Sequence, residues 1–385
     1  MDNRPAFAGR LTMAVMLALL FVLASCTPSW EASLDAPDGG AFRVDRQALD
    51  GLSSFAEEVK GQQAVPLERV LAEAGYTAVG HVVVLESDAA SHEFQWAAVA
   101  DQAWWFDDGR LLVGGAEFAG SRLQVEAPSL SDRVKGGITD IAPTAATALG
   151  LPNPGDATGR ALEVDSASRV VLILLDGFGY VRYTEALGEG LVPNLGALGE
   201  PLVALTTYPP ITSVATASLL TGAPPDVHGV MERGIRKTEA QTLFDVAAAA
   251  GRRVMAVEGQ SLAFELRNAG MKLSGDLDGN GSTDDNVLAN ALSILRAGVP
   301  DVLFVHFHGI DDAGHSYGPG SPEECAQIRE VDAAVGQLVE VLPAGTLVIL
   351  FADHGMHQVQ EEGRLGNHGH LIERDMFVPI LVVSK

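Results

Sequence analysis

The strongest constraint in this sequence is a set of unbroken apolar runs, each closing on a polar or glycine-rich loop. "RVVLILLDG", "RRVMAVEG", "DVLFVHFHG", "TLVILFADHG" and "FVPILVV" follow one another from residue 168 onward. A strand with one wet face alternates apolar and polar residues, whereas a run that is apolar throughout is buried on both faces. Helical stretches, "TASLLTG", "TLFDVAAAAG" and "NVLANALSILRAG", lie between the runs. The alternation predicts an α/β domain, a mostly parallel sheet covered by helices on both faces. Ligands in such sheets sit at the carboxyl ends of the strands. The residues just after each run are therefore the candidates for chemistry.

Those positions are rich in acids and histidines. Asp176 follows the first run, Asp311 and His315 follow "DVLFVHFHGI", and Asp353 and His354 follow "TLVILF". "GRLGNHGHL" then supplies His368 and His370, and eight of the ten histidines lie beyond residue 227. One aspartate at such a place reads equally well as a helix cap or turn former. Three strand ends that each carry Asp with His nearby require cations to offset the repulsion of buried carboxylates. Oxygen and imidazole ligands without cysteine suit Zn²⁺, with Mn²⁺ as the alternative. That many ligands exceed one tetrahedral site and suit two ions ~4 Å apart. In "YPPITSVATASLLTG", Thr212 falls at a helix N-terminus, where free N–H groups favour a phosphate. A metal on its oxygen would make the alkoxide available as a nucleophile.

Bulk properties restrict the partners. A net charge of −25 over 385 residues makes nucleic acid an unsuitable one. Residues 1–25 carry Arg4, Arg10 and the 15-residue apolar run "LTMAVMLALLFVLAS", short for a spanning helix and suited to a signal peptide. "LASC" is similar to a bacterial lipobox, which would make Cys26 the lipidated first residue of an exported protein anchored to a membrane of the bacterial cell envelope. Residues 26–40 read as a linker. Residues 41–130 read as a small α+β accessory module, in which Trp104 and Trp105 are either a binding platform or paired core aromatics. The catalytic domain is expected over 135–385.

Taken together, "LLDGFG", "PPITSVATASLLTG" with "PPDVHGV", "GIDDAGHSYGP", "FADHGM" and "GNHGH" resemble the alkaline phosphatase superfamily, most closely its type I phosphodiesterase/nucleotide pyrophosphatase branch. The resemblance implies an alkaline phosphatase-like fold, with Asp176, Thr212, Asp353 and His354 around one zinc and Asp311, His315 and His368 around the other. It makes Thr212 the nucleophile of a covalent phospho-enzyme, prefers His368 to His370, and leaves His306 and His308 as supporting or packing residues.

Three departures qualify the likeness. Arg233 in "HGVMERG" stands where the branch has an asparagine that contacts phosphate, and a bidentate arginine suits a monoester as well as a diester. Residues 138–162 resemble a segment that relatives carry after the last ligand, so 135–165 reads as a permuted part of the domain. "DLDGNGSTDD" spaces Asp276, Asp278 and Asn280 like the start of a Ca²⁺ loop, but Val287 replaces its closing glutamate, and a polar turn is the competing reading. The expected function is a two-metal phosphohydrolase of a small phosphate ester, cleaving diester or pyrophosphate bonds. The alternatives are a phosphomonoesterase or phosphotransferase on the same site, or an inactive envelope binding protein.

Overall fold

The computed structural model describes residues 30–385 apart from 38, 88–89, 120–121, 261, 277–278, 280 and 362. The signal-peptide segment 1–25, Cys26, Asp278 and Asn280 lie outside the described residues. The chain divides into two compact units. The smaller comprises residues up to 75 together with 82–125; the larger comprises 76–81 and 126–385.

Ten short strands of the smaller unit are β1 (Glu31–Asp35), β2 (Ala41–Asp45), β3 (Glu57–Val59), β4 (Gln62–Pro66), β5 (His81–Ser87), β6 (Ala90–Gln95), β7 (Ala103–Phe106), β8 (Arg110–Val113), β9 (Ala116–Ala119) and β10 (Arg122–Glu126). They form two five-stranded sheets, ordered β2-β1-β10-β5-β6 and β3-β4-β7-β8-β9. The stretch read as a linker is thus corrected. β1 pairs with β2 and β10 because "EASLD" alternates, burying Ala32 and Leu34 while Glu31 stays exposed. The surrounding Pro, Gly and Asp hid that period-2 signal. A helix over Leu67–Glu73 follows Pro66 and buries Leu67, Val70 and Leu71. Trp105 is buried and stacked on Trp30, and Trp104 packs against Ala64, Phe106 and Leu112, so the pair is core.

The module read over 41–130 also differs from the structure at residues 76–81 and 126–130, which belong to the larger unit. Val79 donates its N–H to Leu371 O at 2.8 Å and bridges to Ile372, in parallel with the chain just beyond His370.

The larger unit is built on β11 (Val134–Gly137), β12 (Arg169–Leu175), β13 (Leu202–Leu205), β14 (Val254–Gly259), β15 (Gly270–Ser274), β16 (Val302–Phe307), β17 (Thr346–Phe351) and β20 (Phe377–Ser384), with a β18–β19 hairpin (His357–Glu361, Arg364–Asn367) set apart. The eight-stranded order is β11-β13-β20-β17-β12-β16-β14-β15. β12 runs parallel to both β16 and β17, and only β20 runs against its neighbours β13 and β17. Every residue of β16 and β17 is buried, so both sheet faces are covered, as the unbroken apolar runs require. Residues 134–148 are integral: β11 pairs with β13, and all but one residue of the Ile141–Ala148 helix are buried. Among the described residues, no helix is long and apolar enough to cross a membrane.

Candidate active site

Register brings the functional side chains to one level. Leu174 of β12 is paired with His306 on one side and Phe351 on the other, so the loops after all three strands open at the same sheet edge. Asp176 leaves β12 there, 2% exposed, followed by Gly177 at φ +71°. A Cβ on Gly177 would lie 2.8 Å from Asp311 Oδ1, so glycine is what lets the two loops meet. The Gly177 N–H donates to Asp353 Oδ1 at 3.2 Å, tying the loop after β12 to the loop after β17.

Asp311 and His315 lie on the Gly309–Tyr317 helix, four residues apart and so on one face, with Nε2 3.2 Å from Oδ2. Thr212 is the first residue of the Thr212–Thr221 helix, which is buried along its whole length, and its Oγ1 lies 3.1 Å from His354 Nε2. His354 Nε2 is also 3.4 Å from Asp176 Oδ1 and 3.3 Å from Asp353 Oδ2. His368 Nε2 lies 3.8 Å from Asp311 Oδ1.

The three histidines share one device. Each places Nδ1 against a backbone carbonyl: His354 against Gly355 at 3.0 Å, His315 against Gly366 at 2.8 Å and His368 against Pro210 at 2.8 Å. A carbonyl only accepts, so in His354 and His368 Nδ1 carries the proton and Nε2 is left to face the site. Buried His368 and His354 stack with ring centroids 3.8 Å apart. His370, the neighbour but one of His368 in "HGH", instead sets its ring against His357, with centroids 5.3 Å apart.

The protein compensates the carboxylates of the site only in part. Asp176 Oδ1, Asp311 Oδ1 and Asp353 Oδ2 are buried oxygens without a hydrogen-bond partner. Burial, reinforced by the charge of Asp176, pushes the Asp353 carboxyl up to about 7. Burial also raises Asp176, but hydrogen bonds from His306 and His308 hold it well below the ordinary carboxylate range. Asp311 is likewise held down against burial and the repulsion of Asp176, chiefly by His315 and His368. Burial and the neighbouring His354 push His368 down to about 3, so it is neutral and available as a ligand.

Anionic oxygens and lone-pair nitrogens that converge without protons between them are what a cation fills. Among the described residues three groups bring their ligand atoms within 4.8 Å of one another: Asp176 with Asp353 and His354, Asp311 with His315 and His368, and Asp176 with His306 and His308. The six carboxylate and imidazole ligands anticipated from sequence are thus brought together, with Thr212 beside them. Arg233 lies at the rim, Nη2 3.4 Å from His368 Nε2. Arg364 lies against the His315 ring, Nη2 2.8 Å from Nδ1 and 2.9 Å from Nε2. The Ca²⁺ reading gains no such support. Asp276 spends its oxygens on the N–H groups of Gly279 and Gly281, at 2.7 and 3.0 Å, and joins no ligand group among the described residues.

Sequence reasoning passed over Glu258 and Asp284. Glu258, the penultimate residue of β14, is 1% exposed and bonded to both His306 and His308. Asp284 accepts the N–H groups of His308 and Gly309, each at 3.0 Å, fixing the turn that delivers Asp311. The signal for the first was the pair of histidines at i and i+2, which point to one side of a strand. Their shared partner on the adjacent strand could not be read without the strand order.

Residues 170–277 and 266–377 match the family described as type I phosphodiesterase / nucleotide pyrophosphatase. Among curated proteins, the chain is 37% identical over 81 residues to the human GPI ethanolamine phosphate transferase 3 catalytic subunit, covering 21% of this chain and 7% of the relative. It is 25% identical over 224 residues to venom phosphodiesterase 2 of Crotalus adamanteus, covering 50% of this chain and 27% of the relative. The chain thus spans less than a third of the length of either. Among solved structures, murine ectonucleotide pyrophosphatase / phosphodiesterase 5 aligns with TM-score 0.46 at 14% identity, over 56% of this chain and 88% of that one.

Proposed function

Because the chain belongs to the type I phosphodiesterase / nucleotide pyrophosphatase family, we propose that it cleaves phosphate diester or pyrophosphate bonds through Thr212. The observation that carries this reading is the convergence of three unpartnered buried carboxylate oxygens on the Nε2 atoms of His354 and His368, beside a helix-initiating hydroxyl.

In this reading Asp176, Asp353, His354 and the Thr212 oxygen hold one divalent cation, Zn²⁺ or Mn²⁺, and Asp311, His315 and His368 hold the second. When bound, the pair supplies Lewis acidity that favours the Thr212 alkoxide and offsets charge on the transferring phosphoryl group. Thr212 Oγ1 attacks phosphorus and the bond to the leaving oxygen breaks, giving a phosphothreonine. Water then attacks that phosphorus, releasing phosphate or a phosphomonoester and restoring the hydroxyl. Thr212 opens its helix without a side-chain cap, and first-turn N–H groups of a helix favour an anion such as phosphate. Arg233 donates to the phosphate oxygens from the rim.

Arg233 also favours a second reading. A guanidinium satisfies two phosphate oxygens at once, which suits the doubly charged end of a monoester. Transfer to an alcohol in place of water would use the same phosphothreonine. We also propose that the protein is exported to the bacterial cell envelope and held there by a lipid anchor at Cys26.

The test compares rates on bis-p-nitrophenyl phosphate and p-nitrophenyl phosphate with zinc-reconstituted protein, wild type against Thr212→Ala. The diester is expected to be the faster substrate, and the substitution to lower its rate by at least about a thousandfold. A faster monoester rate would favour the second reading. Diester turnover that survives Thr212→Ala would remove Thr212 as the nucleophile.

A further inference from the structure

Two of the proposed ligands are carried by separate loops, His354 after β17 and His368 after β19, and their rings stack 3.8 Å apart. One residue outside the ligand set touches both loops. Asp375, in the short Glu373–Met376 helix, is 0% exposed and joins no ligand group among the described residues. Its Oδ2 accepts the N–H groups of Gly369 and His370, each at 3.0 Å, and its Oδ1 accepts from His357 Nδ1 at 2.9 Å. Its main-chain carbonyl accepts the N–H of Gly355 at 2.9 Å.

These bonds bracket the two histidines. His357 stands opposite Asn367 in the β18–β19 hairpin, so the residue before His368 is paired with one that Asp375 holds. The two residues after His368 are held by Asp375 directly. Gly355 follows His354 and lets the other loop come close, because a Cβ there would run into the Arg374 carbonyl oxygen. A carboxyl group taken out of water must be met by donors, and three converge on this one. An apolar side chain would also fill the space. What the carboxyl group adds is direction, since each bond fixes a ring or backbone position that packing leaves free. Cation–ligand distances hold to within about 0.2 Å of their ordinary values, so the loops that carry the ligands must be held closely.

We propose that Asp375 is a positioning residue of the site: its side chain sets His368 for one cation, and its carbonyl sets His354 for the other. The proposal rests on the two-cation reading and divides one residue between the two ions. Replacing the side chain should therefore loosen only the cation of Asp311, His315 and His368.

The experiment measures Zn²⁺ affinity of the full chain by competition with a chromogenic chelator. Wild type is expected to bind two equivalents. Asp375→Ala should weaken one of them by ~10–100-fold and leave the other unchanged. Asp375→Asn, whose amide oxygen still accepts the two N–H groups, should restore both. Asp311→Asn should lose that same equivalent, and adding Asp375→Ala to it should not alter the affinity of the remaining one. Hydrogen exchange in chelator gives a readout free of metal: in Asp375→Ala the amides of Gly369 and His370 should lose protection while that of Gly355 keeps it. Equal weakening of both equivalents, or of neither, would overturn the proposal, as would a loss that Asp375→Asn does not restore. If Asp375→Ala fails to fold, His357→Ala takes its place, since it removes one of the donors. It should weaken the same equivalent, and unchanged affinity there would also overturn the proposal. A failure of the two-cation reading looks different: wild type then binds fewer than two equivalents and Asp311→Asn loses none. In that case the exchange pattern alone decides whether Asp375 holds the loop.

Discussion

Replacing Asp353 with asparagine should change stability in opposite directions with and without metal. The side chain is 0% exposed, its Oδ2 has no hydrogen-bond partner, and Asp176 repels it. Holding it ionised in the metal-free fold at pH 8, with a folded-state pKa of about 7 against an ordinary value of 3.8, costs on the order of 4 kcal/mol. The sign follows from the raised pKa. The penalty is absent below the ordinary value, grows as pH rises toward 7 and is constant above it. Asparagine removes the charge and keeps an acceptor for the Gly177 N–H, and its amide can donate where Oδ2 had no partner. In chelator at pH 8, Asp353→Asn should therefore raise Tm, by up to ~16 °C at ~2–4 °C per kcal/mol for a unit of this size. In saturating Zn²⁺ the same substitution removes an anionic ligand and should lower Tm below that of wild type. Thermal unfolding followed by circular dichroism in the two buffers decides the matter. Equal destabilisation in both would show that the fold already neutralises these carboxylates, and the argument from unpartnered oxygens would fail.

Two further outcomes are expected. His228 accepts the Val230 N–H at Nδ1 (3.1 Å) and faces Ser218 Oγ at Nε2 (2.8 Å), and burial pushes its pKa down to about 4 from 6.5. Its stabilising contribution is complete above pH 6.5 and is lost as pH falls toward 4, about 3 kcal/mol over that window. His228→Gln should flatten that part of the curve in urea titrations at stepped pH, and an unchanged slope would refute the assignment. Cells supplied with labelled palmitate should incorporate it into the wild type but not into Cys26→Ser, and label that persists in the variant would dismiss the lipid anchor.

The chemistry of this site was more legible than its support. Asp176, Asp311, His315, Asp353 and His354 stand directly after apolar runs, and a parallel sheet collects strand ends at one edge whatever the strand order. That step needed no knowledge of which strand neighbours which. Glu258 is different. Its part depends on β14 lying beside β16, which the sequence does not encode locally, so nothing within "RRVMAVEG" marks it. His306 and His308 were visible but ambiguous, because a histidine in an apolar strand gains meaning only from the carboxylates on either side. Glu31–Asp35 was lost for a local reason. Five alternating residues among Pro, Gly and Asp are too short a period to outweigh their setting.

The level register of β12, β16 and β17 also bears on how such a protein can change. Parallel neighbours are joined by crossovers and not by tight turns, so the spacing of the site is set by interstrand pairing and not by connection length. Doubling the length of a surface connection costs only ~0.6 kcal/mol in closure entropy. An insertion between two of these strands thus leaves Asp176, Asp311 and Asp353 where they are and alters only what stands around them. On the proposed function, reactivity would belong to the sheet and selectivity to the connections, so that new leaving groups could be accommodated without rebuilding the centre.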